Sequence, residues 1–166
     1  MHDISEFKFE QIGVINTPFQ DHAPYQPVDT EDGEFCLSVF PPFLEGLKEL
    51  DQFRYIYVLY FAHRITQKPE MMISPPWAKH KKVGLFSSRS PNRPNPIGLS
   101  VVSIKKITET RIYTSGLDVF DGTPLLDIKP YIKDLDTKAD ANYGWVEGEG
   151  DMDHLMLHIK GIPHDY

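Results

Sequence analysis

Hydrophobic positions along this chain recur mostly at every second residue or in short unbroken runs, and only once with the spacing of a helix. Phe7-Lys-Phe-Glu alternates and leads into Ile12-Gly-Val-Ile15. After a proline-rich loop from Thr17 to Thr30, Glu34-Phe-Cys-Leu-Ser-Val-Phe40 is the next strand signal. Tyr55 to Ala62 is an uninterrupted run of β-branched and aromatic residues, which predicts a strand buried on both faces. Val83 to Phe86 and Leu99 to Ile107 follow, and then Arg111 to Phe120 and Thr123 to Lys129. Between the last two, Asp121-Gly122 predicts a hairpin, because this pair suits a type I′ turn. A helix is expected only over about Pro42 to Leu50, where Phe43, Leu44, Leu47 and Leu50 share a face.

Such a pattern predicts an all-β fold: a small antiparallel β-barrel, closed or partly open, with one short helix and peripheral loops. A doubly wound nucleotide fold is disfavoured, since no glycine-rich strand-to-helix turn is present and strands do not alternate with helices. At 166 residues the chain suggests a single domain, read as a barrel over residues 1–145 followed by a C-terminal tail over 146–166.

Composition changes this picture little. One cysteine, Cys36, rules out an internal disulfide, and seven histidines show no zinc-like spacing, so no metal is expected. The start lacks the basic and apolar blocks of a secretion signal, and the longest apolar run falls well short of the ~18 residues of a membrane span. A soluble cytoplasmic protein without a membrane partner is the expectation.

The net charge of −7 argues against a protein that coats nucleic acid nonspecifically. The distribution says more. No acidic residue lies between Glu70 and Glu109, a stretch that holds Lys79, His80, Lys81, Lys82, Arg89, Arg93, Lys105 and Lys106, whereas the region beyond Glu109 is strongly acidic. Two readings stand: a local anion-binding face, or two solvated surfaces of opposite sign.

The most unusual stretch is Phe86-Ser-Ser-Arg-Ser-Pro-Asn-Arg-Pro-Asn-Pro-Ile-Gly-Leu-Ser100. Pro91, Pro94 and Pro96 fix φ and remove backbone donors, which excludes an inner strand or a helix interior. Ser90, Arg93 and Asn95 precede prolines and are pushed toward extended conformations. The product is a stiff loop with free carbonyls and two guanidinium groups, Arg89 and Arg93, able to grip carboxylate or phosphate bidentately. It is either a preorganised binding loop or an ordered connector whose arginines pair locally.

The segments SRSPNRPNPIGLS and LDVFDGTPLLDIKPYI, with FEQIGVINTP near the start, resemble the TsaA-like family, also called the TrmO family, and the likeness runs from about Phe9 to Tyr143. The resemblance implies a small β-barrel that acts as a homodimer. It further implies an S-adenosylmethionine-dependent tRNA methyltransferase that methylates N6 of threonylcarbamoyladenosine 3′ of the anticodon. Cofactor contacts implied in this way are Pro24, Tyr25 and Gln26, His63 and Arg64, Arg89, Leu99, and Leu117, Asp118, Val119 and Phe120. Tyr25 stands where members often carry arginine, and Arg64 where glutamine is common.

Those residue types suit the ligand: Arg89 its carboxylate, Asp118 its ammonium and ribose diol, and the apolar residues its adenine. Each has a plainer reading too, with His63 a barrel-end histidine, Asp118 and Asp121 turn formers, and Leu99 and Val119 core. Asn95, with the carbonyls about Pro94 and Pro96, is the candidate catalytic residue that orients the acceptor amine. Arg93, Lys79, Lys81 and Lys82 are the candidate substrate-binding phosphate contacts. The alternatives are a non-catalytic module that binds S-adenosylmethionine or RNA, and a small-molecule methyltransferase.

Overall fold

The structure is a computed structural model that describes residues 6–29, 34–149, 152–160 and 162. Residue 30 of the expected proline-rich loop and residues 150, 151, 161 and 163–166 of the expected tail lie outside these.

Six strands form the body: β1 (Gly13–Asn16), β2 (Cys36–Val39), β3 (Tyr55–Phe61), β6 (Ile97–Ile107), β7 (Arg111–Thr114) and β8 (Thr123–Pro130). They hydrogen-bond in the order β1-β2-β7-β6-β3-β8, every pair antiparallel, and β1 then pairs with β8 to close the ring. Closure leaves no open sheet edge. The short strands β4 (Met72–Ile73) and β5 (Val83–Gly84) make a separate two-stranded ribbon. Helices are marginal: α1 (Lys133–Asp136) and α2 (Met152–Ile159) follow the barrel.

Alternation decides which side chains fill the barrel. Ile15, Leu37, Ile56, Val58, Val102, Ile112 and Leu125 are buried and pack together, joined by Phe35 and Leu117 from the flanking loops. On β3 the intervening residues point outward, so Tyr55 remains 50% and Phe61 41% exposed. The expectation of a strand buried on both faces fails here, because a small barrel has only one interior.

Four further elements differ from the sequence reading. The Phe7-Lys-Phe-Glu segment is not a strand, and Phe7 and Phe9 are exposed. The helix expected at 42–50 is two 3₁₀ turns, Pro41–Leu47 and Leu50–Gln52, separated by Glu49 at φ 68°. Glu49 in the left-handed region separates the two segments, and each is too short to gain from α-helical propagation. The Val83 to Phe86 strand breaks after Gly84 into a 3₁₀ turn and takes no part in the barrel. Finally, β7 stops at Thr114 and pairs with β2 and β6, so β7 and β8 do not form a hairpin.

The Asp121-Gly122 pair still makes a tight turn. Thr123 N–H donates to Phe120 C=O at 3.2 Å, with φ +80° at Gly122 alone, as in a type II turn. Ser115 still exchanges hydrogen bonds with Ser103 of β6, and residues 116–120 then leave the sheet and run along one end of the barrel. The chain at Gly116 runs so close to Val28 that a Cβ would stand 2.4 Å from the Val28 carbonyl oxygen. Glycine is what allows the proline-rich loop to lie across this end.

Candidate functional site

A cavity of about 330 Å³ opens at that end of the barrel. Four separate segments build it: Ala23, Pro24 and Tyr25 from the proline-rich loop; Tyr60 and residues 62–65 from the end of β3; Arg89 and Pro91 from the proline-arginine loop; and Asp118, Val119, Phe120 and Thr123 around the turn. Its size is that of a small-molecule site.

The expected cofactor residues divide cleanly. Pro24, Tyr25, His63, Arg64, Arg89, Asp118, Val119 and Phe120 line the cavity. Gln26, Leu99 and Leu117 do not. Leu117 is fully buried in the barrel core, and Leu99 lies on the outer face of β6, 55% exposed, opposite Leu59. Gln26 follows the lining tripeptide but is not itself among the lining residues. Asn95 also lies outside the lining and is exposed, and its carbonyl accepts from Ile97 N–H at 2.8 Å.

Two arginines prove to brace the walls. Arg64 donates to the Gln20 carbonyl at 2.5 Å, and its guanidinium lies 4.2 Å from the centre of the Phe120 ring, tying the proline-rich loop to the turn. Arg93, expected to contact phosphate, directs Nη1 to the carbonyls of Leu85, Ser88 and Ser90 at 3.3, 2.9 and 3.2 Å. The loop's prolines leave few backbone donors, so a guanidinium serves its carbonyls. Arg93 thus braces the loop that presents Arg89.

The acids differ just as much. Asp121 accepts from Asn16, Gln20 and the Thr17 backbone N–H; burial works against its charge, but these donors hold its carboxyl below the usual range. Asp118 lacks such a set. Burial raises its pKa from 3.8 to about 6, with its own backbone N–H and the Arg89 charge only partly opposing. Burial also lowers His63, with the Arg64 charge adding to the effect. The cavity thus combines a carboxylate short of compensation, two guanidinium groups of which Arg64 is engaged with Gln20 and Phe120, and largely apolar walls. It suits a ligand that carries both a cation and a carboxylate.

The expected lysines cluster elsewhere. Lys79 and Lys82 are exposed, whereas Lys81 and His80 both reach the Glu149 carboxylate, at 2.5 and 2.7 Å. Beside them Trp77 and Trp145 stack at 5.3 Å with planes 6° apart, and Trp145 Nε1–H donates to the Ser87 carbonyl at 2.8 Å. The basic stretch and the acidic one, which sequence leaves as separate surfaces, therefore meet at this point. Among the described residues no group of three or more His, Cys, Asp or Glu is placed to hold a metal, and no helix is long and apolar enough to cross a membrane.

Sequence reasoning missed Tyr60 and Ile65, which contribute ring and aliphatic surface to the cavity. A signal existed for Tyr60: it continues the inward parity of Ile56 and Val58 on β3.

Residues 14–137 match the family described as tRNA-methyltransferase O N-terminal domain. A probable S-adenosyl-L-methionine-binding protein of Pyrococcus abyssi is 38% identical over 141 residues, covering 84% of this chain and 76% of that protein. The tRNA (adenine(37)-N6)-methyltransferase of Rattus norvegicus is 36% identical over 137 residues, which are 77% of this chain and 31% of the rat protein. A crystal structure of TrmO from Pseudomonas aeruginosa has a similar fold, with TM-score 0.68 and 33% identity over 84% of this chain and 62% of that one. The chain thus spans less than two thirds of the solved structure and about a third of the mammalian protein.

Proposed function

Because this chain belongs to the tRNA-methyltransferase O family, we propose that the barrel-end cavity binds S-adenosylmethionine for methyl transfer to tRNA. The acceptor in this reading is N6 of threonylcarbamoyladenosine beside the anticodon. The observation that carries the reading is that Arg89 and Asp118, 29 residues apart by their numbers, line one cavity with opposite charges. Arg89 is placed for the carboxylate of the amino-acid moiety, and Asp118 for a cationic group. The ring of Phe120 and the side chains of Val119, Ala62 and Ile65 offer adenine an apolar wall.

The bound donor supplies an electrophilic methyl group. The chain supplies position and field. The N6 lone pair, delocalised into the purine, forms the new C–N bond as the C–S bond breaks, and the N6 proton leaves to solvent. No strong base is required, and Asn95 is assigned to orient the amine from the exposed side of the loop. Exposed Lys79 and Lys82 are assigned to the tRNA backbone, with Lys81 joining them if it leaves Glu149. Action on tRNA is consistent with the expected cytoplasmic location.

A homodimer fits the same reading. Leu99 faces away from its own cavity together with Val101, Tyr55 and Phe61, so it can contact a bound donor only in the site of a second copy. Sedimentation velocity checks this, and a monomer at micromolar concentration removes Leu99 from the site.

The decisive experiment incubates the protein with methyl-labelled S-adenosylmethionine and bulk tRNA and identifies the labelled nucleoside after digestion. Label in N6-methyl-threonylcarbamoyladenosine supports the proposal. Archaeal relatives described only as S-adenosyl-L-methionine-binding proteins favour a second reading, a binding module without transfer. Donor binding by calorimetry with no labelled RNA would select it.

A further inference from the structure

Two cavity residues with polar side-chain atoms fall outside the implied cofactor set, Tyr60 and Thr123. The Thr123 hydroxyl is committed to the Phe120 carbonyl at 2.7 Å. Tyr60 is different, because three local features aim it into the cavity. On β3 it keeps the inward parity of Ile56 and Val58, because the extra residue of the neighbouring bulge lies on β8, between Leu125 and Asp127. On the other flank, Tyr60 lies across its strand partner Gly98 so closely that a Cβ there would stand 2.0 Å from Cε2 of the ring. The Ser100 hydroxyl lies 3.4 Å from the Tyr60 oxygen, a long and weak hydrogen bond in which serine donates. Glycine at 98 and serine at 100, both within the Pro-Ile-Gly-Leu-Ser motif, thus act on one phenol.

That phenol stands close enough to Asp118 and Arg89 for both charges to act on it; burial and Asp118 push its pKa up, so the hydroxyl is neutral at any working pH. We propose that Tyr60 is a specificity-determining residue of the cofactor site, its hydroxyl oxygen, in the same cavity as the Asp118 carboxylate, favouring a cationic sulfonium over a neutral thioether. The inference rests on the methyl-donor reading of the cavity and adds how the protein tells the donor from its demethylated product. Carbon atoms bonded to a sulfonium carry positive charge and make C–H···O contacts with oxygen acceptors, which the thioether lacks. Tyr60 and Asp118 are both largely buried, and such dipolar contacts are stronger there than in bulk solvent. A site so biased holds the donor and releases the product, and product release limits turnover in many enzymes.

The test is calorimetric binding of S-adenosylmethionine and S-adenosylhomocysteine to the full chain, as wild type, Tyr60→Phe and Ser100→Ala. Tyr60→Phe keeps the ring over Gly98 and removes only the oxygen. Its donor Kd should rise about three- to ten-fold while its product Kd stays within about two-fold, narrowing the donor-to-product preference. Ser100→Ala keeps the phenol but removes its weak hydrogen bond and should narrow the preference in the same direction by less. An unchanged preference in Tyr60→Phe, or an equal loss for both ligands, overturns the inference while leaving the methyl-donor reading intact. A wild-type protein that binds neither ligand overturns both.

Discussion

Asp118→Asn should stabilise this protein at neutral pH, and the size of the effect follows from its surroundings. A carboxyl whose pKa rises from 3.8 to about 6 on folding is bound more tightly by its proton in the native state than in the unfolded chain. Stability linked to it is fully present below about pH 3.8 and is lost as pH rises through about 6. At 1.36 kcal/mol per pH unit, the separation corresponds to about 3 kcal/mol lost once the group is ionised in both states. The amide in Asp118→Asn cannot ionise but still buries a polar group, so the net gain should be about 2 kcal/mol at pH 8. For a domain of this size that is roughly 4–8 °C in Tm. Thermal unfolding followed by circular dichroism from pH 4 to 8 reads the difference: it should widen between pH 4 and 6 and level off above 7. A cationic ligand reverses the penalty, so S-adenosylmethionine should bind wild type more tightly as pH rises through 6, and the variant should lack this dependence. A Tm difference that stays constant across the range, or a variant less stable than wild type at pH 8, would refute the picture of a carboxylate short of partners.

Gly98→Ala places a methyl group inside the Tyr60 ring, and the overpacking should destabilise the barrel by about 1–3 kcal/mol and weaken donor binding as well, as unfolding and calorimetry will show. Arg93→Ala strands three carbonyls; it should lower stability by about 1–3 kcal/mol and speed amide exchange in residues 85–90, whereas unchanged protection would dismiss the bracing role. Asn95→Ala should lower turnover with cofactor affinity near wild type, and unaltered turnover disposes of its orienting role. Glu149→Gln weakens the hold on Lys81 and His80, and so should tighten tRNA binding at low salt and steepen its salt dependence; filter binding across a salt series is the measure.

Runs of β-branched and aromatic residues over Glu34 to Phe40, Tyr55 to Ala62 and Leu99 to Ile107 made the barrel legible as strands, although the unbroken run at Tyr55 to Ala62 concealed which of its faces turns inward. The proline-arginine loop was legible for a similar reason, since proline fixes its own backbone wherever it occurs. Pairing was not. Asp121-Gly122 favours a turn whatever its flanks do, but which strands flank it depends on partners far along the chain, and β7 finds better ones in β2 and β6. The two arginines show the same limit. Arg89 and Arg93 are equivalent in the sequence, yet one lines the cavity and the other turns to three carbonyls of its own loop. Sequence thus determined where most of the barrel strands lie, the stiffness of the loop and the family's motif residues, all of which depend on local backbone geometry and side-chain type. Only the closed barrel decided that Arg89, Asp118 and Tyr60 share one cavity and that Leu99 faces away from it, because such distances are set by the register of strands remote in the chain.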